Sequence, residues 1–318
     1  MQTFRKMLPA VLSLVIAAGM VAASELLHEK EIIFPEITAV AIGALAAPVQ
    51  AWNTSRIRLL LTITASAVAG VGIVLFIPLA LVFRIPLALI CASAFVTISG
   101  TGFLPAISAC VLPVLLGTRS PVYIASVAAM TSLILLAQLI SEKAGLRKKD
   151  VFTPVTPDRQ LLMLRVRQIF AVSVICIIPA LTGEIFFIAP PLIVAFFEMS
   201  GPGSKLLGRA PQAVSLIVTA AFCGVISRAV FTEYLSLPLT VSALVSCAVI
   251  LAAVSRMKLY FPPCGAIATL PLIIPEGALL RFPFEVSAGM LILVCAAFLL
   301  SGERRIVPRV KKLLRSRF

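Results

Sequence analysis

The sequence predicts an all-α polytopic membrane protein, with about 10 to 12 transmembrane helices in two parallel repeats. Three observations predict this fold class. The 318 residues are 60% hydrophobic and 13% charged, with a mean hydropathy of +1.11, which exceeds that of soluble domains. The apolar runs lack the alternation of barrel strands. The two halves of the chain also resemble each other.

Twelve apolar segments are separated by charges, prolines and glycines. Two of them, 189–201 and 260–276, are short for full spans, so half-helices or re-entrant segments remain open there. The first six segments cover 8–27, 32–52, 57–82, 85–100, 103–118 and 121–141, and the other six cover 168–188, 189–201, 211–231, 236–255, 260–276 and 282–301.

A long, charged and proline-bearing stretch divides the chain into two halves. We therefore expect four parts. They are a first membrane repeat at 1–141, a basic cytoplasmic linker at 142–164, a second membrane repeat at 165–303 and a basic cytoplasmic tail at 304–318.

The two halves share a proline pattern at a constant spacing. "FLPAISACVLP" (103–113) matches "FPPCGAIATLP" (261–271) at the phenylalanine, one proline and the Leu-Pro pair, all 158 positions apart. Earlier in each half, a proline-bearing helix (34–48 or 190–203) leads into a basic turn. Because each half has an even number of predicted spans, duplication predicts parallel repeats.

The positive charges predict the orientation. With the N-terminus and C-terminus both cytoplasmic, 22 of the 27 lysines and arginines lie on the cytoplasmic side. We expect a prokaryotic cytoplasmic membrane, because no plastid-type presequence is visible. The basic and apolar N-terminus resembles a signal peptide, but a similar segment opens the second half, so we expect a retained span. The bilayer then explains the net charge of +14, and nucleic acid is not an expected partner.

The stretch "PPCGAIATL" resembles the signature of the HPP family of integral membrane proteins, which is named for a His-Pro-Pro motif. Each half also resembles that family in its upstream small-residue helix, its turn with proline and arginine, and its glycine-bearing helix. Phe261 stands where the family has histidine, and the first half retains only Pro105 of the proline pair. The resemblance implies transport of a small inorganic anion, because plastid members are linked to nitrite.

Independent reasoning also favours an anion path at the proline-bearing helix starts. A helix start carries a partial positive charge and free N–H groups that can face an anion, and two such starts can meet across the repeat axis. Ser and Thr side chains nearby either contact substrate or pack between helices. The predicted path residues are Thr97, Ser99, Pro105, Ser108, Pro113, Pro263, Gly265, Thr269 and Pro271.

Ionisable residues at membrane depth are further candidates, for coupling or gating. Glu198 lies near a Gly-Pro-Gly break and within reach of Lys205 or Arg209, which favours either an ion pair or a proton-coupling carboxylate. Arg56 and Arg209 either attract anions at the cytoplasmic mouth or anchor the topology. The predicted coupling or gating charges are Glu36, Glu198, Arg56 and Arg209.

Motifs for catalysis are not found in the sequence. There is one histidine, no HExxH, Walker or GxSxG motif, and the seven cysteines lack metal-ligand spacing. We therefore expect no enzymatic activity, no cofactor and no metal. The alternative function is a non-transporting membrane scaffold that holds a partner through the basic linker and tail. Homo-oligomerisation stays open.

Overall fold

The computed structural model describes the backbone of residues 2–315 and the side chains of residues 8–302. Within this part of the chain all regular secondary structure is helical, which confirms the predicted all-α class. Eight of its helices are long and apolar enough to cross a membrane, so this is a multi-pass membrane protein. These spans are Leu8–Leu27, Arg56–Phe76, Leu81–Ile98, Pro121–Lys143, Arg159–Thr182, Leu207–Tyr234, Leu239–Met257 and Phe282–Gly302.

The first half contains four long and two short helices. Side-chain caps fix two of the starts, because Ser55 accepts from the Arg58 N–H and Ser120 from the Val122 N–H. The helices are α1 (Gln2–Leu27), α2 (Glu36–Ala41, continued by a π turn over Ile42–Ala46), α3 (Arg56–Phe76), α4 (Leu81–Ile98), α5 (Pro105–Leu116) and α6 (Pro121–Lys143).

The second half follows the same order. Its first helix is capped by Asp158, which accepts from the Leu161 N–H at 2.7 Å. The helices are α7 (Arg159–Ile175), α8 (Ile177–Thr182), α9 (Pro190–Met199), α10 (Ala210–Ser227), α11 (Leu239–Met257), α12 (Pro263–Thr269), the short α13 (Glu276–Leu279) and α14 (Phe282–Arg315).

Four of the twelve predicted segments form short helices. The expected spans at 32–52 and 103–118 contain α2 and α5. The segments 189–201 and 260–276, which are short for full spans, contain α9 and α12. Each of these helices begins at or directly after a proline. A proline is tolerated in the first turn of a helix, but its ring clashes with a preceding helical turn, so the helix does not extend further towards the N-terminus. Eight long helices, rather than 10 to 12, are therefore present in the described part of the chain.

Side-chain contacts show which helix ends share a face of the molecule. Arg56, at the start of α3, pairs with Glu142 at the end of α6. In the second half, Arg209 before α10 donates to the carbonyls of Met257 and Lys258 at the end of α11. We call the face with Arg56 and Arg209 the basic face.

The two halves run parallel across the molecule. Arg58 near the start of α3 donates to the Ser99 carbonyl at 2.6 Å, so α4 ends on the basic face. At the opposite face, Glu25 near the end of α1 accepts from the Leu239 and Thr240 N–H groups, which open α11. Helices α4 and α11 therefore both begin on that face and run towards the basic face, as two parallel copies require.

The helix packing is also repeated. Helix α3 packs on α5 and α10 packs on α12, while α5 crosses to α9 and α12 crosses to α2. A Cβ on Gly70 would lie 2.6 Å from Pro113, and one on Gly224 would lie 2.9 Å from Pro271. Because glycine has no side chain, α3 and α10 each approach closely the proline of the Leu-Pro pair that lies in or follows the neighbouring short helix.

The linker packs against the first half on the basic face. Arg147 is buried and donates to the carbonyls of Leu45, at 3.3 Å, and Ala47, at 2.8 Å, which end the π turn after α2. Asn53 and Thr153 exchange two hydrogen bonds, of 2.7 and 3.2 Å. The end of the predicted linker, 159–164, is helical and belongs to α7. The side chains of the predicted tail, from residue 304 onward, lie outside the described residues.

Candidate functional site

The starts of the four short helices meet at one small cavity. Helix α2 runs from it to the basic face, where Arg147 binds its end, and α5 runs from it towards the opposite face. The cavity is therefore buried between the two faces of the molecule. Its volume is about 10 Å³, roughly the space that one water molecule needs. It is lined by Glu36, Ala39, Pro105, Pro191, Val194, Pro262, Pro263 and Ala266.

Six of the eight lining residues form three equivalent pairs between the halves. Glu36 and Pro191 differ by 155 positions, as do Ala39 and Val194, and Pro105 and Pro263 differ by the 158 positions of the sequence repeat. The predicted meeting of two proline-bearing helix starts is therefore found, and it includes two further helix starts, those of α2 and α9.

A polar pair of side chains lies next to the cavity in the first half only. Ser108 on α5 is fully buried and donates a hydrogen bond to Glu36 Oε1. The equivalent positions in the second half hold Pro191 and Ala266, which have no polar side-chain atom. The Glu36–Ser108 pair therefore has no counterpart in the second half, and it lies behind a cavity surface that is apolar.

Most backbone donors at these helix starts already have acceptors. The Leu192 N–H donates to the Ala189 carbonyl at 2.8 Å, the Ile107 N–H to Leu104 at 2.9 Å and the Gly265 N–H to Pro262 at 2.9 Å. The prolines have no N–H. The expectation of free N–H groups facing an anion is therefore wrong for these positions, and what remains is the partial positive charge of the helix starts.

Trp52, the only tryptophan, lies between the cavity and the basic face. It is 5% exposed, makes an edge-to-face contact with Phe103 at 5.1 Å and fills the space where a Cβ on Gly43 would lie. Gly43 is seven residues after Glu36 towards the basic face, about 10 Å along the helix. The indole thus closes the basic-face end of the space between the short helices.

Two predicted path residues are helix-packing residues. Pro113 and Pro271 lie against Gly70 and Gly224, away from the cavity. A Cβ on Gly70 or Gly224 would also meet a backbone carbonyl of the facing helix, so these positions are close-packed. Their prediction as path residues is not supported by this geometry.

Gly265 and Thr269 join α12 to the region around α2. A Cβ on Gly265 would lie 3.1 Å from Thr38 Cγ2, so the glycine lets the two helices approach closely. Thr269 is fully buried, and its hydroxyl lies within hydrogen-bond distance of the Gly265 and Ala266 carbonyls of its own helix, at 3.1 and 3.2 Å, and of the Pro35 carbonyl, at 3.3 Å. Neither residue lines the cavity, but both hold α12 against α2.

Thr97 and Ser99 form hydrogen bonds near the basic face. Thr97 donates to the Ser93 carbonyl at 2.7 Å, and Ser99 to the Val96 carbonyl at 2.9 Å. Both bonds are within or next to the end of α4. Their hydroxyl groups satisfy local backbone carbonyls, which is the structural role that the sequence left open.

The partner expected for Glu198 is a different residue in the structure. Trp52 Nε1 donates to Glu198 Oε1 at 2.8 Å, whereas Arg209 donates to the Met257 and Lys258 carbonyls and to Gln212. Arg209 therefore holds two helix ends together, and Arg56 does so through its pair with Glu142. The two roles expected for these arginines, attraction of anions and anchoring of the topology, both stay predictions.

Sequence reasoning missed Trp52 and the pairing of Glu36 with Ser108. A single tryptophan in a loop after a short helix gives no periodic signal. The pairing had a signal in the repeat, since aligning the halves places Glu36 and Ser108 opposite Pro191 and Ala266.

No family model, curated protein or solved structure matches the chain. The resemblance to the HPP family stays a prediction from its motifs.

Proposed function

We propose that this protein transports a small inorganic anion across a membrane through the cavity between its two halves. The observation that carries the proposal is the meeting of four proline-started helices, two from each half, at a small cavity between the halves. Broken helices that meet between repeats are how many secondary transporters build a substrate site without lipid-exposed polar backbone.

The helix dipoles at the cavity favour an anion. The starts of α5 and α9, with 12 and 10 residues, direct the positive ends of their helix dipoles at the cavity. The cavity of about 10 Å³ excludes large solutes in this closed state. The resemblance to HPP proteins points to the same class, with nitrite as the first anion to test.

The orientation follows the distribution of arginine and lysine. We place the basic face in the cytoplasm, because the cytoplasmic loops of multi-pass proteins are enriched in these residues. Both termini are then cytoplasmic, and the membrane is the cytoplasmic membrane of a prokaryote. In this closed conformation Trp52 separates the cavity from the cytoplasm.

Reconstituted vesicles test the proposal. Purified protein is placed in liposomes, and uptake of nitrite, nitrate, formate, chloride and small organic acids is measured with and without a pH gradient. We expect uptake of at least one small monovalent anion above that of protein-free liposomes. Uptake of none of these anions by folded protein would contradict the proposal.

The scaffold function remains the alternative, and the structure sharpens its test. Deleting the linker would also remove Arg147 and Thr153, which hold the first half together on the basic face. Lys148 and Lys149 are exposed and are the better positions to change. Loss of partner binding by Lys148→Ala/Lys149→Ala, in a protein without transport, would favour the scaffold.

A further inference from the structure

We propose that part of the linker holds Trp52 in place between the two halves, and that this part of the linker and the loop of Trp52 detach from the basic face as one unit. We call residues 148–155 the strap and residues 47–55 the Trp52 loop. The inference goes beyond the proposed transport function, because it describes a motion that can be measured without any substrate.

The position of the indole ring is the first support. Gly43 and Glu198 are 155 positions apart, which is the spacing of other equivalent pairs in the two halves. The indole lies against Gly43 and donates to Glu198 at 2.8 Å. One side chain therefore fills the space between equivalent positions of the two halves. The contact between the halves at this point depends on where the Trp52 loop lies.

The Trp52 loop has little structure of its own. It contains no helix or strand. The Gln50 side chain donates to the carbonyls of Trp52, at 3.0 Å, and Thr54, at 3.2 Å. The Ala51 N–H donates to the Gly43 carbonyl at 3.0 Å. With so few internal bonds, the conformation of the loop depends on the segments that lie against it.

The strap binds the loop on both sides of Trp52. Two residues before the tryptophan, the Gln50 N–H donates to Asp150 Oδ1 at 3.2 Å. One residue after it, Asn53 and Thr153 exchange two hydrogen bonds, of 2.7 and 3.2 Å. The docked strap therefore fixes the backbone on either side of the indole.

Two further contacts hold the strap on the basic face. The Val155 N–H donates to the Gly100 carbonyl at 2.9 Å, just after the end of α4. The Arg58 guanidinium, near the start of α3, lies over the Phe152 ring at 4.9 Å. Neither of these contacts involves the Trp52 loop. Changing them alters the docking of the strap without altering the loop itself.

The exposure of the strap is the second support. The strap contains no helix or strand, and Val151 is 89% exposed. Segments with few buried contacts and exposed hydrogen bonds open first in folded proteins. On one side of the strap Arg147 is buried, and on the other Asp158 caps α7. Opening is thus confined between these two residues, and it removes the contacts beside Trp52.

Hydrogen exchange in the purified protein tests the inference. Mass spectrometry with fragmentation follows three reporter amides, those of Thr153 and Val155 in the strap and of Ala51 in the loop. Ala51 is bonded to Gly43 and not to the strap, so its exchange reports on the loop itself. We expect all three amides to exchange through one common opening, faster than the amides of α3. Separate openings of strap and loop would overturn the inference.

A variant of the strap tests the coupling directly. Phe152→Ala removes the contact with Arg58 and is expected to raise exchange at all three reporter amides by the same factor, about two- to fivefold, as a cation–π contact of an exposed pair would. Val151→Ala changes an exposed neighbour and is the matched control, with exchange as in the wild type. A rise in the strap alone, without a rise at Ala51, would contradict the inference.

Trp52 fluorescence provides a second measurement, because the chain has one tryptophan. Asp150→Ala/Phe152→Ala/Val155→Pro removes three contacts of the strap, since proline has no N–H to donate. The indole is 5% exposed in the docked state. We expect a red shift of its emission and stronger quenching by acrylamide in this triple variant.

The control for this measurement changes three other strap residues. Lys148→Ala/Lys149→Ala/Val151→Ala alters exposed side chains that make no hydrogen bond or ion pair within the described part of the chain, and we expect wild-type emission and quenching. Wild-type quenching in the variant that lacks the three contacts, with unchanged helix content, would show that the strap does not hold Trp52 and would overturn the inference.

Discussion

Trp52 donates a hydrogen bond of 2.8 Å from its indole nitrogen to Glu198 on α9, and this bond joins the first half of the chain to the second. The indole also packs edge-to-face on Phe103, directly before α5. One side chain thus contacts elements of both halves at the basic-face end of the cavity. Under the proposed transport function, the Glu198 side chain and the indole ring form the barrier between the cavity and that face.

The first prediction concerns the strength of this contact. Trp52→Phe leaves the half-buried Glu198 without its donor, and we expect a loss of about 1 kcal/mol in stability, which is typical of one lost hydrogen bond. Glu198→Gln keeps an acceptor and is expected to cost less. Thermal unfolding in detergent of both single variants and the double variant gives the coupling energy. A coupling of zero would show that the bond does not hold the halves together.

The second prediction concerns the barrier. Trp52→Ala removes the ring between Gly43, Phe103 and Glu198, so we expect faster passive anion leakage through the cavity. Efflux of preloaded chloride or nitrite from proteoliposomes measures the leak. Trp52→Phe retains most of the ring volume and is the matched control. Equal efflux from Trp52→Ala and the wild type would place the barrier elsewhere.

The third prediction tests the repeated close packing. A methyl group on Gly70 or Gly224 meets a backbone carbonyl of the facing short helix, so Gly70→Ala and Gly224→Ala are each expected to destabilise the protein by about 1–3 kcal/mol. Gly72→Ala lies on the same helix as Gly70 with no atom within 4 Å of the added group. We expect this control to be neutral or stabilising, since alanine favours helix.

Unfolding midpoints of the three glycine variants measure the effect. Similar losses for Gly70→Ala and Gly224→Ala would agree with two copies of one packing unit. A loss at Gly72 as large as that at Gly70 would mean that the helix itself, rather than the contact, responds to the added methyl group.

The fourth prediction concerns the linker. Arg147→Ala leaves the carbonyls at the end of the π turn after α2 without their cation, so we expect a loss of about 1–3 kcal/mol in stability. Lys148→Ala changes an exposed neighbour and is expected to change stability by less than about 0.5 kcal/mol. Thermal unfolding compares the two. Equal stability of both variants would show that the linker does not support α2.

The sequence predicted the helical class, the parallel repeat and the meeting of Pro105 with Pro263, because hydropathy and proline spacing are local signals. It did not predict that α2 and α9 reach the same cavity, since their contacts with α12 and α5 cross between the halves. The partner of Glu198 also escaped prediction. Lys205 or Arg209 was the expected partner of Glu198, but Arg209 is bound to the end of α11. The actual partner is the Trp52 indole, which is 146 residues away in the sequence.

The contacts of the linker were also not predicted from the sequence. Its charge and prolines are typical of a solvated connection, yet Arg147 is buried and binds the end of α2. A cationic side chain at a helix C-terminus has a physical reason to be there, but sequence alone does not show which helix end it will reach.

The most direct test of transport through the cavity compares one substitution at two positions. Ala266 lines the cavity, while Ala252 is exposed on α11. Ala266→Leu fills a space of about 10 Å³ and is expected to reduce anion uptake in proteoliposomes at least about tenfold, whereas Ala252→Leu keeps wild-type uptake. Ala266→Ser adds little volume and is expected to remain active. Wild-type uptake by folded Ala266→Leu would contradict a path between the four short helices.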